Sequence, residues 1–150
     1  MIQRIQTLYL LLIVIAEGLL TQFNFINYTN NSSTYNLNVF GIKSAEGIEL
    51  VSDQKQLVLL CLAVLMSILG IALFNNRKLQ KKFVKVLSFF CLAQMAYVTT
   101  SCYRLFEQEV ESYHLGIGSY LVIAAGLLSI LASRAIKKDD DLIKSVDRIR

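Results

Sequence analysis

Four apolar blocks constrain this chain more than any other feature. They fall near residues 5–23, 56–74, 83–103 and 115–133. Each approaches the roughly 20 residues that a helix needs to cross the hydrocarbon of a bilayer. The first block, Ile5 to Phe23, carries a carboxyl group inside it, at Glu17. An acid in hydrocarbon is costly unless it is neutral or partnered. The first helix is therefore expected to be the buried one, with the others packed round Glu17. The fold class this predicts is an all-α membrane protein, a bundle of four transmembrane helices.

Composition agrees with that reading. The 150 residues are 55% hydrophobic with a mean hydropathy of +0.51, above the range of ordinary soluble domains. They are expected to form one domain, residues 1–150. The chain has no proline, so no proline kink is expected in any helix. It has no tryptophan, so an interfacial aromatic belt would have to come from Tyr and Phe. The net charge of +4 raises the question of nucleic acid, but the positives are segregated along the chain. One side would hold Arg4, the run Arg77 to Lys85, and the basic residues from Arg134 onward, twelve in all; the other would hold Lys43, Lys55 and Arg104. By the positive-inside rule both termini are cytoplasmic, and no nucleic-acid partner is expected.

The segment 24–55 is the one long loop and would lie outside. Its first part, Asn24 to Thr34, is rich in Asn, Ser and Thr and reads as polar turn. Tyr35, Leu37 and Val39 then alternate with asparagines, and Ile48 and Leu50 flank Glu49. That pattern predicts a small two-stranded β-hairpin. A lone hairpin is marginal in water, so it should rest on helix ends or on a partner. Asn75 to Lys82 reads as a short basic turn, and Arg104 to Ser112 as an acidic segment continuing the third helix. Ala63, Ser67 and Gly70, and likewise Ala125, Ser129 and Ser133, form small-residue seams that allow close helix approach.

The opening MIQRIQTLYLLL and the closing SRAIKKDDDLIKSVDRIR resemble the two ends of an uncharacterised four-helix membrane protein family of Bacteroidota-type bacteria, catalogued as a domain of unknown function. The resemblance runs the length of the chain. It implies a bacterial inner-membrane location, and it carries no activity and no site residues. The layout, with a β-bearing first loop and short further connections, is similar to that of claudins, but the tryptophan and paired cysteines of the claudin loop are absent.

Candidate chemistry is sparse. Glu17 lies roughly 18 Å along the helix from Ile5, at 1.5 Å per residue. Counting the same depth along the third helix reaches Gln94 and Tyr97, which share a stripe with Cys91 and Ser101. The intramembrane polar cluster is therefore expected to be Glu17, Gln94, Tyr97 and Ser101. It would act either as a proton or cation site or as a structural hydrogen-bond cluster holding helices in register, with the second favoured. Glu111-Ser-Tyr-His114 has the spacing of a di-metal motif, but such sites need the motif twice, and the chain has one histidine. No nucleophile elbow, HExxH or phosphate loop is present, so no enzyme and no cofactor are expected. Cys61, Cys91 and Cys102 lie in apolar blocks and are expected to be free thiols.

The tail, residues 134–150, has no glycine or proline to break it and should continue the fourth helix into the cytoplasm. Leu142, Ile143, Val146 and Ile149 form a short apolar stripe on it, flanked by Arg148 and Arg150. That stripe is too small to hold a helix alone and calls for a partner surface. The function these features favour is a non-enzymatic membrane subunit or scaffold. Beyond the bilayer, its partner would be a larger protein or a second copy, bound through the tail or the outer hairpin. The alternative is a small transporter or channel-like protein using Glu17.

Overall fold

A computed structural model describes residues 3–30, 33–44, 47–73, 76–106 and 112–147. The element order is α1 (Gln3–Leu20), β1 (Ile26–Asn30), β2 (Ser33–Asn38), β3 (Gly41–Ser44), β4 (Glu49–Ser52), α2 (Gln54–Ala72), α3 (Arg77–Phe106), β5 (Ser112–Leu115) and α4 (Ile117–Asp147). Among the described residues three helical spans are long and apolar enough to cross a membrane: Gln54–Ala72, Leu79–Arg104 and Ile117–Asp139.

The main helix contacts run α1 to α2, α2 to α3, α3 to α4 and α4 to α1, so the four helices close a ring with α1 diagonally opposite α3. The expected centrality of the first helix is not found. Leu8, Leu11, Leu12, Ile15 and Leu19 of α1 are exposed, as are Leu65 and Ile68 of α2, Phe89 and Leu92 of α3 and Leu127 of α4. Each helix gives one stripe to the interior and turns apolar side chains outward as well. The small-residue seam of α2 does face inward: Ala63, Ser67 and Gly70 are all buried. Helix α1 also ends earlier than the apolar block suggests. Thr21 and Gln22 turn back on Gly18 O and Leu19 O, and the Thr21 hydroxyl bonds Gly18 O at 2.8 Å.

Polar side chains fasten the end of the ring away from the sheet. Gln80 Nε2 donates to Gly70 O at 3.0 Å, tying α3 to α2. Ser88 Oγ reaches Ser129 O at 3.3 Å, tying α3 to α4. Gln6 Nε2 donates to Asp139 Oδ2 and to Ala135 O, tying α1 to the region where α4 leaves its apolar span. The residues read as a basic turn belong instead to the start of α3. Asn76 closes that helix as a cap, receiving Leu79 N on its side chain and Gln80 N on its carbonyl.

The expected hairpin is not formed as read: the runs at residues 35–39 and 48–50 fall at β2 and β4, which do not pair, because β3 lies between them and bonds to both. Five strands form one antiparallel sheet in the order β4-β3-β2-β1-β5. The stretch read as polar turn is strand β1, paired along its length with β2. Strand β5, Ser112–Leu115, lies between the end of the segment read as continuing the third helix and the start of the fourth apolar block, and pairs with β1 from Ile26–Leu115 to Thr29–Ser112. Helix α3 is described to Phe106, and Glu107, Glu109 and Glu111 lie outside the described residues. Phe25, Ile26, Tyr28, Leu37 and Val39 pack with Leu20, Leu60, Val98 and Val122, so the sheet seats on one end of all four helices. A second core, built on Leu10, Ile13, Val84, Leu87 and Ala132, fills the other end.

The Gly116-Ile-Gly118 segment explains how β5 turns into α4. Gly116 N donates to Phe25 O at 2.8 Å and Gly118 N to Asn24 O at 2.9 Å. A Cβ on Gly116 would lie 2.2 Å from Asn24 O, and one on Gly118 2.8 Å from the same atom. The glycines serve backbone approach, with the Ser119 hydroxyl adding a bond to Phe25 O at 2.6 Å.

Candidate functional site

The four residues expected to cluster are divided between two places. Glu17 and Gln94 meet: Gln94 Nε2 donates to Glu17 Oε2 at 3.0 Å, and both side chains are buried. Because α1 and α3 are diagonal, this bond crosses the middle of the ring and joins helices that otherwise touch little. Cys91 and Ser129 lie beside it. Glu17 Oε1 has no hydrogen-bond partner within the described protein. Nothing in the surroundings supplies a metal set, since no group of three or more His, Cys, Asp or Glu comes together among the described residues.

Tyr97 and Ser101 lie further along α3, at the sheet end, and belong to a different site. The Tyr97 hydroxyl donates to Asp53 Oδ2 at 2.5 Å. Asp53 stands between β4 and α2 and caps α2, its Oδ1 receiving Lys55 N at 3.1 Å. An Asp immediately before an apolar helix is a readable N-cap signal, yet its bond to a tyrosine 44 residues away is not. Tyr97, Ser101, Asp53, Lys55 and Arg104 line a cavity of about 550 Å³ whose other wall is the sheet residues Leu37, Ile42 and Val51. Behind it is a recess of about 10 Å³ that shares Leu37, Asp53, Tyr97 and Ser101 and is closed by Gln56.

Gln56 was not anticipated as a site residue, because a lone glutamine one turn into an apolar helix reads as a surface residue. It is 1% exposed, and neither Nε2 nor Oε1 has a hydrogen-bond partner among the described residues. Each buried, unpaired polar atom costs about 1–3 kcal/mol. Gln56→Met keeps the volume and removes both atoms. It is expected to raise the melting temperature of the purified protein by several degrees, at about 2–4 °C per kcal/mol. Unchanged or lower stability in a thermal melt would show that Gln56 is satisfied where it stands.

The remaining expected residues are placed as follows. His114 is exposed on β5 opposite Asn27, and Glu111, the other half of the Glu-x-x-His spacing, lies outside the described residues. All three cysteines are free thiols, Cys91 buried and Cys61 exposed. Helix α4 runs unbroken through the tail to Asp147. The side chains of Leu142, Ile143 and Val146, and Arg148, Ile149 and Arg150 altogether, lie outside the described residues.

The fold and its sites define a class: a small protein of four mainly apolar helices in a ring, capped at one end by an antiparallel sheet, with one carboxyl–amide pair in its interior. Residues 2–149 match the family model described as Domain of unknown function (DUF4293). The chain belongs to that family. No curated protein matches it.

Proposed function

We propose that this chain is a non-enzymatic subunit or scaffold of a bacterial inner membrane. Its four helices would lie in the bilayer, its sheet on the outer face, and its termini and the end of α4 in the cytoplasm. The membrane placement is supported by the three long apolar spans and by the outward leucine, isoleucine and phenylalanine faces on every helix. In water those faces would form apolar patches far beyond what soluble monomers carry. The orientation rests on the basic residues, twelve against three.

The observation that carries the scaffold reading is the sealing of Glu17. The acid within the apolar ring has no solvent exposure and spends one oxygen on Gln94. Such a group pins two diagonal helices, as a structural polar contact in a membrane does. The second reading, a proton or cation path, draws on the unpartnered Oε1 of the same residue.

The two readings separate in reconstituted vesicles. Under an imposed pH gradient, vesicles holding the protein are expected to leak protons no faster than empty ones. A leak that the Glu17→Gln variant abolishes would establish transport and end the scaffold reading. The partner surface is assigned to the tail, which α4 carries about eight residues, or about 12 Å, beyond its apolar span. Leu142→Asp with Val146→Asp is expected to leave the protein folded and in the membrane while stripping the proteins that co-purify with the wild type in mild detergent. Retention of all of them by the double variant would remove the tail from the interface.

A further inference from the structure

We propose that the cavity between the sheet and the adjoining ends of α2 and α3 binds a small phosphate-headed amphiphile, with the phosphate held by Lys55 and Arg104. At about 550 Å³ the cavity has the size of a small-molecule site. Its walls are of two kinds. Leu37, Ile42 and Val51 of the sheet offer apolar surface, and the helix side offers Lys55, Arg104 and Ser101.

The charge balance favours an anion. Among the described residues two cations line the cavity against one carboxylate, and both oxygens of that carboxylate are engaged, one by Tyr97 and one by the α2 backbone. The first turn of α2, a helix of 19 residues, opens on the cavity through Gln54 and Lys55 and adds the positive end of its dipole. The independent sign of a ligand is Gln56. Its buried amide, without a partner among the described residues, lines a recess of about 10 Å³ that shares Leu37, Asp53, Tyr97 and Ser101 with the cavity. A recess of that size takes one small polar atom or a water. The Arg104 guanidinium, the Lys55 ammonium and the Ser101 hydroxyl offer more donors than a carboxylate can accept, and a phosphate accepts more.

Lys55 and Arg104 also stand at the ends of two apolar spans. With the membrane placement proposed above, that is headgroup level, where a lipid could enter sideways; a water-soluble phosphate could enter from the sheet side. The binding test itself does not depend on the placement.

The full chain in a neutral detergent is titrated calorimetrically with dihexanoyl phosphatidic acid, inorganic phosphate and dihexanoylglycerol. Phosphatidic acid is expected to bind and dihexanoylglycerol not to. Lys55→Gln and Arg104→Gln should each weaken the phosphatidic acid by about tenfold, the loss of one charge-assisted hydrogen bond, with helix content unchanged by circular dichroism. Lys137→Gln, at the far end of α4, should leave affinity as it is. Inorganic phosphate binding as tightly as the lipid, with the same sensitivity to Lys55 and Arg104, would support the phosphate site and assign it to a soluble anion. Absence of binding by both phosphates, or binding indifferent to Lys55→Gln and Arg104→Gln in folded protein, overturns the proposal.

Discussion

Gly41→Ala is expected to cost about 3–5 kcal/mol, the sum of backbone strain and a forced clash. Gly41 begins β3 with a φ of +130°, a conformation L side chains rarely adopt. A Cβ there would stand 1.8 Å from Val51 O and 2.9 Å from Asp53 N, both backbone atoms of the facing strand and its exit. Neither can yield without breaking the β3–β4 pairing of Gly41 with Ser52, or the bond from Asp53 N to Phe40 O. Asp53 is the residue that caps α2 and holds Tyr97, so the damage reaches the cavity as well as the sheet. A thermal melt of the purified variant should fall by about 10 °C. Gly18→Ala is the matching control. Its Cβ would meet nothing within 4 Å, and alanine in place of an exposed helical glycine stabilises by up to about 1 kcal/mol. Equal melting temperatures for the two variants would mean that the β3–β4 pairing at Gly41 is not built as described.

The second large effect concerns the interior pair. Glu17→Leu leaves the buried amide of Gln94 without its acceptor, and Gln94→Leu leaves the acid without its donor. Each single variant is expected to lose about 1–3 kcal/mol, the cost of a stranded polar group. The double variant should recover part of that loss, since removing both partners leaves nothing stranded. The coupling energy is expected within the range of measured interhelical contacts, about 0.6 kcal/mol on average and at most about 1.7. Glu17→Gln keeps an acceptor for Gln94 and should be nearly neutral. These differences are read from denaturant unfolding in mixed micelles. Strict additivity of the two leucine variants would place Glu17 and Gln94 apart.

What the sequence made legible was what periodicity and length carry. The apolar blocks located all four helices, and counting depth along two of them paired Glu17 with Gln94, because both steps follow from a fixed rise per residue. The same count carried Tyr97 and Ser101 into the wrong cluster. They share a stripe with Gln94, but the stripe runs along the helix into a different environment, where Asp53 waits. Strand β1 was hidden because Ile26-Asn-Tyr-Thr-Asn is polar apart from Ile26 and Tyr28, the two residues it buries. Strand β5 was hidden for another reason. Ser112-Tyr-His-Leu exposes every side chain, so no alternation marks it, and it is a strand only because β1 is there to pair with. Gln56 gave no local sign, since its neighbours Phe25, Leu37 and Val98 come from distant parts of the chain and no local pattern carries that contact.

The placement on which the proposed role rests is tested most directly by topology. With the native thiols replaced, Ser33→Cys and Ser145→Cys are made singly, and intact cells expressing each are treated with a membrane-impermeant maleimide. Ser33 sits exposed at the start of β2 on the sheet, and Ser145 belongs to the last turns of α4. The cysteine at 33 should be labelled in intact cells, and the one at 145 only after the membrane is opened. Labelling of 145 from outside, with or without 33, would contradict a sheet outside and a tail inside.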